Sequence, residues 1–357
     1  MRRILCIIES LGPGGAERQI AELSTLLKQR GYEVEVIYYV NKDFYLSYIQ
    51  EKGVLGCYLP EASKKWKRLR VINRYLKIYN PDTVISYTGS ASMIICLLKL
   101  FGGQYNLLVS ERNTTQTLCW RERLRFFLYR WADYIVPNSY AQRDFISNHF
   151  QNLSSKVRVI TNFVDAEKFI PVQINRSNHG YVNLICVGRI APQKNVVRFI
   201  KAISILRDRG VNVSVDWYGQ DFKDNYSYQC YDLLKIYKLE DCFKFHIHTS
   251  DILQKYQEAD VFCLPSLYEG FPNVLCEAMC CGLPVVCSRV SDIPQIMEDG
   301  GNGYIFNPLD SFDMAAKIEE IVSTPLEMRN RMAARSRELA LTRFSLDIFI
   351  RKYQELI

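Results

Sequence analysis

Hydrophobic residues along the chain follow two alternating patterns. Short continuous apolar runs, such as residues 4–8 and 34–38, are typical of buried strands, and the segment between them places Ile20, Leu23 and Leu27 at helical spacing. A strand, a helix and a second strand in this order form a βαβ unit, whose two strands lie parallel in one sheet. The chain is therefore predicted to begin with a parallel βαβ unit.

The same alternation continues towards the end of the chain. Further apolar runs bounded by turn residues predict strands at residues 83–86, 106–109, 134–136, 184–187, 213–217, 243–247, 261–264, 285–287 and 303–306. Strands that alternate with helices predict an α/β fold with doubly wound parallel sheets. A length of 357 residues favours two domains, and the polar, turn-rich residues 171–180 are the predicted boundary between residues 1–170 and 171–342.

Cysteine usage and hydropathy restrict the class of protein. The twelve cysteines show no spacing typical of a metal site, and several lie inside apolar runs, where a thiol packs as a small hydrophobe. Because the chain starts without a recognisable signal peptide, we expect free thiols in a reducing compartment. No apolar run reaches the ~18 residues that a membrane-spanning helix needs, so no span is predicted.

Two carboxylates stand beside the start of a predicted helix in the second half of the chain. The apolar run 261–264 is followed by a glycine- and proline-rich loop that carries Glu269. The helix is predicted over residues 273–281, because glycine, here Gly282, commonly follows a helix end, and Glu277 lies within it. Ligands of doubly wound sheets bind at the carboxyl ends of the strands, and a helix N-terminus attracts phosphate. The pair is a candidate site, and the alternative is solvated surface charge.

Two cations follow another predicted strand. The run 184–187 ends at Gly188 and Arg189, and Lys194 lies in the loop before the next helical segment. A guanidinium fork and an ammonium on one loop suit a diphosphate. The alternative is a pair of surface cations that bind nothing.

Taken together, these motifs resemble those of the retaining glycosyltransferases of family four, which have the GT-B fold. The resemblance extends over nearly the whole chain and is specific in its C-terminal half, at Gly188-Arg189, Lys194-Asn195, Pro265-Ser266 and the Glu269/Glu277 pair. It implies two Rossmann-like domains that face each other across a cleft, the first binding the acceptor and the second binding the nucleotide sugar. It also implies that the final helix, residues 343–357, packs back onto the N-terminal domain.

The resemblance also implies roles for individual residues of the C-terminal half. Arg189 and Lys194 would hold the donor diphosphate. Glu269 would contact the hydroxyls of the donor sugar, and Glu277 would contact the ribose. Catalysis is therefore expected to depend on Arg189, Lys194 and Glu269. The other donor-binding positions expected in this half are Gly188, Gly270, Phe271, Pro272 and Asn273.

A glycine-rich loop follows the first predicted strand. Gly14 and Gly15 precede a helix as in a dinucleotide-binding fingerprint, but Glu17 replaces the third glycine and no carboxylate ends the second strand. In the glycosyltransferase family this loop faces the donor phosphates, and glycine permits close approach of the backbone. Gly14 and Gly15 are therefore candidate donor contacts, with an ordinary glycine turn as the alternative.

A charged segment, residues 110–113, follows the predicted strand 106–109. Many relatives place a histidine here near the acceptor, whereas this chain has Ser-Glu-Arg-Asn, which resembles the subset that build bacterial surface glycans. Glu111 and Arg112 are candidates for orienting the acceptor or its phosphate. The alternative is that the two side chains simply pair with each other.

Positive charge is concentrated in the first half of the chain. Residues 1–170 carry a net charge of +9 and the remainder carries −2. The segment from Lys64 to Lys77 is rich in Lys and Arg interleaved with Trp66 and aliphatic residues, a composition that favours contact with an anionic membrane surface. The alternative is a domain helix whose apolar face is part of the core and whose cations are solvated. Residues 121–131 have a similar composition, but their larger apolar content favours a core helix. No nucleic-acid-binding motif accompanies the charge, so nucleic acid is not an expected partner.

The sequence and its resemblance together predict a retaining glycosyltransferase, peripheral at the cytoplasmic face of the inner membrane. The predicted reaction moves a hexose or N-acetylhexosamine from a nucleotide-diphosphate sugar, expected to be UDP-linked, to a lipid-linked glycan in the synthesis of capsule, O-antigen or glycoprotein glycan. No Asp-x-Asp motif is present, so no metal and no other cofactor is expected. The alternatives are a nucleotide-sugar epimerase or hydrolase on the same fold, and a non-catalytic membrane-associated partner of a glycan assembly complex.

Overall fold

Two structural units make up the chain. The computed structural model describes residues 1–112, 115, 117–172, 180–247, 249 and 251–357. One unit comprises Met1–Asn162 with Asp347–Ile357, and the other comprises Phe163–Leu346. The predicted boundary, residues 171–180, lies largely outside the described residues, and the second unit already begins before it. Val164 and Phe169 account for the earlier start, because both are buried in the core of the second unit.

The first unit is built on a parallel sheet with helices packed against it. Its elements are β1 Arg3–Ile8, α1 Gly15–Gln29, β2 Glu33–Tyr38, α2 Leu46–Glu51, β3 Leu55–Tyr58, α3 Lys65–Tyr79, β4 Thr83–Tyr87, α4 Gly89–Leu100, β5 Asn106–Glu111, α5 Trp120–Leu128, β6 Tyr134–Pro137 and α6 Tyr140–His149. The strand order is β3-β2-β1-β4-β5-β6, and all neighbouring strands are parallel. The order changes direction between β1 and β4, and ligand crevices in such sheets open at this position.

The second unit repeats this plan. Its elements are β7 Val182–Val187, α7 Val196–Asp208, β8 Val213–Tyr218, α8 Asn225–Ile236, β9 Phe243–His246, α9 Ile252–Glu258, β10 Val261–Leu264, α10 Asn273–Cys280, β11 Val285–Ser288, α11 Ile293–Ile296, β12 Gly303–Phe306, α12 Ser311–Ser323 and α13 Leu326–Arg343. Its strands are also parallel, in the order β12-β11-β10-β7-β8-β9. Here the order changes direction between β7 and β10.

Both faces of the second sheet are buried, as the apolar pattern of its strands requires. Along β7, Leu184 and Cys186 belong to one hydrophobic cluster, whereas Ile185 between them belongs to another. Successive side chains of a strand point to opposite faces of the sheet. A strand that is covered on both faces therefore has a continuous run of apolar residues in its sequence. The prediction of doubly wound parallel sheets is confirmed.

The C-terminal residues extend the first unit. They form α14, Leu346–Gln354, and almost all of this helix belongs to that unit. Arg30 Nη2 lies 2.6 Å from the Asp347 carboxylate, and Asn106 Nδ2 donates a hydrogen bond of 2.6 Å to the Leu356 carbonyl. The end of the chain is therefore held to the first unit by polar contacts as well as by burial of Phe349 and Ile350.

Candidate functional site

The loops that carry the predicted cations and carboxylates lie side by side in the second unit. Arg189 comes just after β7, and Glu269 comes after β10. The two strands are direct neighbours, with Leu184 opposite Val261, and they flank the position where the strand order changes direction. Both loops therefore open at the edge of the sheet where ligands of this architecture bind.

Lys194 and Glu269 form a buried ion pair between these loops. The Lys194 Nζ atom lies 2.6 Å from Glu269 Oε1, and the two side chains are only 14% and 9% exposed. The Ser266 hydroxyl donates to the same Glu269 oxygen at 2.5 Å, and the Glu269 backbone N–H donates to Ser291 Oγ at 3.1 Å. Charge-assisted bonds of this kind are short and directional, so the carboxylate is held in one orientation.

Asn195 fixes the loop that presents Lys194. Its backbone adopts a left-handed conformation with φ of 58°, at the point where the short turn Pro192–Lys194 meets α7. The Asn195 side-chain amide is buried and donates to the carbonyls of Pro265, at 3.1 Å, and Pro308, at 2.7 Å. An Asn tolerates this backbone conformation and supplies two donors. One residue thereby joins the loops that follow β7, β10 and β12.

Arg189 is linked to the carboxylate loop through Gln193. The exposed Arg189 guanidinium donates from Nη2 to Gln193 Oε1 at 3.1 Å, and Gln193 Nε2 donates to the Tyr268 carbonyl at 2.9 Å. The Leu267 backbone N–H returns a bond of 2.8 Å to the Gln193 carbonyl. The structure therefore places Arg189, Lys194 and Glu269 on two loops that hydrogen bonds tie together.

Two glycines make room for this arrangement. A Cβ atom on Gly188 would lie 2.9 Å from Lys194 Cε, so the lysine stem passes directly over the glycine. A Cβ atom on Gly219, after β8, would lie 2.0 Å from the Gly188 carbonyl oxygen. The same oxygen accepts a 2.7 Å hydrogen bond from Trp217 Nε1. The path of the backbone at Gly188 and Arg189 therefore depends on the absence of a side chain at position 219.

The other predicted donor-binding residues lie in or beside α10. Pro272 directly precedes the helix, Gly270 is half-buried in the loop before it, and the Asn273 N–H donates to the Phe271 carbonyl at 3.0 Å. The Phe271 ring is 7% exposed and packs edge-on against Phe344, with 5.4 Å between the ring centroids. Phe271 is thus a core residue of the second unit, and the backbone of this loop is what a ligand can reach.

Glu277 lies on α10 and is partly buried. Its Oε2 atom accepts a hydrogen bond of 3.3 Å from the Tyr256 hydroxyl. Tyr256 is fully buried, and burial raises the pKa of its phenol well above the ordinary value. Tyr256 therefore stays a hydrogen-bond donor and orients the Glu277 carboxylate.

In the glycine loop of the first unit, the side chain of Glu17 lies over Gly14. Gly14 precedes α1, and a Cβ atom there would lie 2.1 Å from Glu17 Oε2, whereas a Cβ atom on Gly15 would meet nothing within 4 Å. The glutamate that replaces the third fingerprint glycine thus folds back over Gly14. The predicted contact of Gly14 and Gly15 with donor phosphates stays a prediction.

Glu111 lies at the end of β5 and is 3% exposed. Its Oε2 atom is 3.2 Å from Arg125 Nη2, and the Tyr129 hydroxyl donates to its Oε1 atom at 2.5 Å. Burial raises the pKa of Glu111, and the nearby Arg125 cation opposes that rise. The carboxyl group is therefore part of a buried polar cluster within the first unit.

Arg112 joins α14 to the sheet of the first unit. Its guanidinium donates to the Tyr87 hydroxyl at 2.6 Å, to the Tyr353 hydroxyl at 2.5 Å and to Asn162 Oδ1 at 2.8 Å. The guanidinium carbon also lies 4.5 Å from the centroid of the Tyr87 ring. Glu111 and Arg112 thus have separate sets of partners, and their role towards an acceptor stays a prediction. Asn113, the last residue of the charged segment, lies outside the described residues.

We expect Arg112→Met to destabilise the first unit. The change removes a partly buried cation and leaves the hydroxyls of the buried Tyr87 and Tyr353 without its hydrogen bonds, which costs about 3 kcal/mol. Thermal unfolding would show a lower midpoint, and the segment after Leu346 would become more sensitive to limited proteolysis. An unchanged midpoint together with a raised KM for acceptor would instead indicate that Arg112 acts on the acceptor.

Sequence reasoning missed several residues that organise this site. The sequence marks Asn195 and Ser266 only as members of motifs, and it indicates no role for Ser291, Gln193 or Gly219. Ser266 follows Pro265 in the Pro265-Ser266 motif, so its place before Glu269 is a usable signal. The others contact residues that are far away in the chain, and no local pattern marks them. Among the residues that the structure describes, no group of three His, Cys, Asp or Glu is arranged to hold a metal ion.

Two family models match the chain, one for each half. Residues 13–168 match the model described as Glycosyltransferase Family 4, and residues 169–339 match the model described as Glycosyl transferases group 1. The first match contains the glycine loop and the charged segment 110–113. The second contains the loops of Arg189, Lys194 and Glu269.

Two curated relatives from bacteria are similar to this chain over most of their length. The chain is 25% identical over 303 residues to the N-acetylgalactosamine-N,N'-diacetylbacillosaminyl-diphospho-undecaprenol 4-alpha-N-acetylgalactosaminyltransferase of Campylobacter jejuni, with 81% of each chain covered. It is 23% identical over 341 residues to the amylovoran biosynthesis glycosyltransferase AmsD of Erwinia amylovora, with 92% of this chain and 93% of the relative covered.

Solved structures of similar fold cover the whole chain. A glycosyltransferase from Rickettsia africae superimposes with a TM-score of 0.87 at 17% identity, covering 99% of this chain and 97% of its own. Anabaena HepE in complex with UDP-glucose superimposes with a TM-score of 0.84 at 19% identity, covering 100% of this chain and 99% of its own. The predicted GT-B fold is thereby confirmed.

Proposed function

Because this chain belongs to the group 1 and family 4 glycosyltransferases, we propose that it transfers a hexose or N-acetylhexosamine from a nucleotide-diphosphate sugar to a lipid-linked glycan, with retention of the anomeric configuration. The single observation that carries this proposal is the Lys194–Glu269 pair beside Arg189, at the edge where the second sheet changes strand order.

The two cations suit the leaving group of the reaction. Cleavage of the bond between the sugar and the diphosphate leaves negative charge on the diphosphate, and donors already in place stabilise that charge as it develops. An ammonium has three donors, so Lys194 can hold Glu269 and still donate to a phosphate oxygen. Arg189 is exposed and adds a second cation, and the N-terminus of α10 adds a partial positive charge.

The two carboxylates suit the two parts of the donor that carry hydroxyl groups, the transferred sugar and the ribose. Glu269, held by Lys194 and Ser266, is proposed to accept hydrogen bonds from the sugar hydroxyls. Glu277, oriented by Tyr256, is proposed to bind the ribose. A carboxylate held in one orientation selects the position of a hydroxyl group, so these two contacts would align the anomeric carbon with the cations.

The relatives support the substrate classes that we propose. The name of the Campylobacter jejuni relative specifies an alpha-linked transfer to a diphospho-undecaprenol acceptor. The Anabaena protein of similar fold binds UDP-glucose. We therefore propose a UDP-linked donor and an acceptor on a lipid diphosphate. Glu111 and Arg112 are proposed to shape the acceptor side indirectly, because Glu111 is buried and Arg112 is partly buried among residues of the first unit.

Contact with the membrane is proposed to occur through α3 of the first unit. None of the helices in the described part of the chain has the length and hydropathy needed to cross a bilayer. On α3, however, Trp66 is 75% exposed and Ile78 is 74% exposed, amid the lysines and arginines of the segment from Lys64 to Lys77. Exposed aromatic and aliphatic side chains among cations suit the interface of an anionic membrane. We propose that the protein works at the cytoplasmic face of the inner membrane.

The proposal is tested by incubating the purified chain with radiolabelled nucleotide sugars and a bacterial lipid extract. We expect label to move into the lipid fraction with one UDP-sugar. The anomeric configuration of the product, read by NMR, is expected to match that of the donor. Consumption of the sugar nucleotide without acceptor would favour an epimerase or hydrolase, and no consumption at all would favour a non-catalytic partner.

A further inference from the structure

A groove lies between α3 and α4 of the first unit, apart from the loops described above. It encloses about 500 Å³. One wall is a stripe of α3 formed by Trp66, Arg70, Asn73 and Lys77, residues spaced so that they share one face of a helix. The other wall includes Phe101, just after α4, and buried leucines form the floor.

The charge of the groove is entirely positive. Arg70 and Lys77 line it, and no aspartate or glutamate is among its lining residues. Both cations are exposed, and within the described part of the chain neither makes an ion pair or a side-chain hydrogen bond. Two unpaired cations on either side of an asparagine amide are suited to an anion that accepts several hydrogen bonds, such as a phosphate diester.

Two aromatic side chains that line the groove are unusually exposed to solvent. Trp66 and Phe101 line it, yet they are 75% and 73% exposed, whereas aromatic side chains of this size normally bury most of their surface. Aromatic rings with one apolar and one polar surrounding are typical of the boundary between lipid headgroups and acyl chains. A soluble anion would use the cations but would leave both rings in water.

Helix α5 belongs to the same layer of helices as α3 and α4. Phe126 and Tyr129 of this region are buried in the cluster that also contains Ile72 of α3 and Ile95 of α4, so the three helices cover one face of the sheet. Trp120 on α5 is nonetheless 69% exposed. This layer of helices therefore carries an exposed tryptophan on α5 as well as on α3.

We propose that the groove between α3 and α4 binds the headgroup of one anionic phospholipid, with Arg70 and Lys77 on the phosphate and with Trp66 and Phe101 beside the acyl chains. This inference deepens the membrane contact proposed above and rests on it. It does not depend on sugar transfer, because binding to vesicles requires neither donor nor acceptor.

The test compares two pairs of charge-removing substitutions on the same helix. Arg70→Gln with Lys77→Gln removes the groove cations, and Lys65→Gln with Arg74→Gln removes two cations that do not line the groove. Binding of the full chain to phosphatidylcholine vesicles with and without phosphatidylglycerol is measured by flotation. We expect the groove pair to weaken binding to the anionic vesicles about 10- to 30-fold and the control pair to weaken it only about threefold.

Equal losses of vesicle binding in the two pairs would contradict the proposed lipid site, because they would indicate a diffuse electrostatic contact. Failure of the unsubstituted chain to bind anionic vesicles would also overturn it and would leave the groove to a protein partner. Either result could occur with sugar transfer intact, so the function proposed above is tested separately. Thermal unfolding of all variants checks that they remain folded.

A second measurement reports on the position of Trp66. The chain contains four tryptophans, and bromine on the acyl chains of phosphatidylglycerol quenches those that reach the lipid. We expect Trp66→Phe to remove a large part of this quenching. Unchanged quenching in Trp66→Phe would place the contact elsewhere and would contradict the proposed site.

Discussion

Replacing Lys194 with methionine is expected to reduce the turnover number for sugar transfer about 100- to 1000-fold, the effect of removing one preorganised donor from a developing anion. Methionine keeps most of the length and volume of the side chain over Gly188 but removes its charge. At saturating donor, the loss is expected mainly in kcat, because the diphosphate carries its full leaving-group charge only as the sugar departs. The measurement is transfer of labelled sugar at saturating donor and acceptor.

Two comparisons make this result specific. Lys201→Met removes the same charge from an exposed position on α7 and is expected to leave kcat within about twofold of the original value, as is usual for surface changes. Loss of Lys194 also removes the ammonium that lies 2.6 Å from the Glu269 carboxylate, which lowers stability. Assays should therefore be run well below the unfolding midpoint of each variant. An unchanged kcat in Lys194→Met would contradict the proposed donor site.

Replacing Gly219 with alanine is expected to damage donor binding from a position outside the loops that carry Arg189, Lys194 and Glu269. The new Cβ atom would lie 2.0 Å from the Gly188 carbonyl oxygen and 3.0 Å from the Arg189 backbone nitrogen, so the backbone there must move. Overpacking of this kind costs about 1–3 kcal/mol, and a displacement of about 1 Å at a catalytic group can cost about 100-fold in rate. We expect a lower unfolding midpoint and a fall in kcat/KM for donor of about 100-fold.

Gly210→Ala provides the matched control. Gly210 has a φ of 74°, so alanine is strained there, but its Cβ atom would meet nothing within 4 Å. We expect this variant to lose about 1 kcal/mol of stability while kcat/KM stays unchanged. If Gly219→Ala lost stability but kept its kcat/KM, the link between β8 and the position of Arg189 would be wrong.

Local sequence pattern is sufficient to predict much of the secondary structure of the second unit. Residues 261–264 were predicted as a strand and form β10, and the helix predicted from residue 273 forms α10. Gly282, expected to follow the end of that helix, has a φ of 72°. These features depend on neighbours in the chain, because apolar periodicity and glycine conformation act over a few residues. The functional assignment depended further on family resemblance, which supplied roles that spacing alone left open.

The first unit shows where local pattern was insufficient. Local pattern leaves open whether Glu111 and Arg112 orient an acceptor or pair with each other. The structure gives the two side chains separate partners: Glu111 contacts Arg125 and Tyr129, and Arg112 contacts Tyr353, which is 241 positions away in the chain. Whether a charged residue at a strand end points to solvent or into the protein depends on which distant segment packs over it. No window of sequence contains that information.

The amino-acid sequence by itself determined the alternation of strands and helices, the two cations and two carboxylates in their loops, and the basic aromatic segment of α3. Only the tertiary structure decided that β7 lies next to β10, which places Lys194 within 2.6 Å of Glu269 although 75 positions separate them. The same holds for Gly219 against Gly188 and for the groove between α3 and α4. Secondary structure follows from short-range backbone and apolar preferences, whereas strand order and side-chain partners follow from how distant segments pack together.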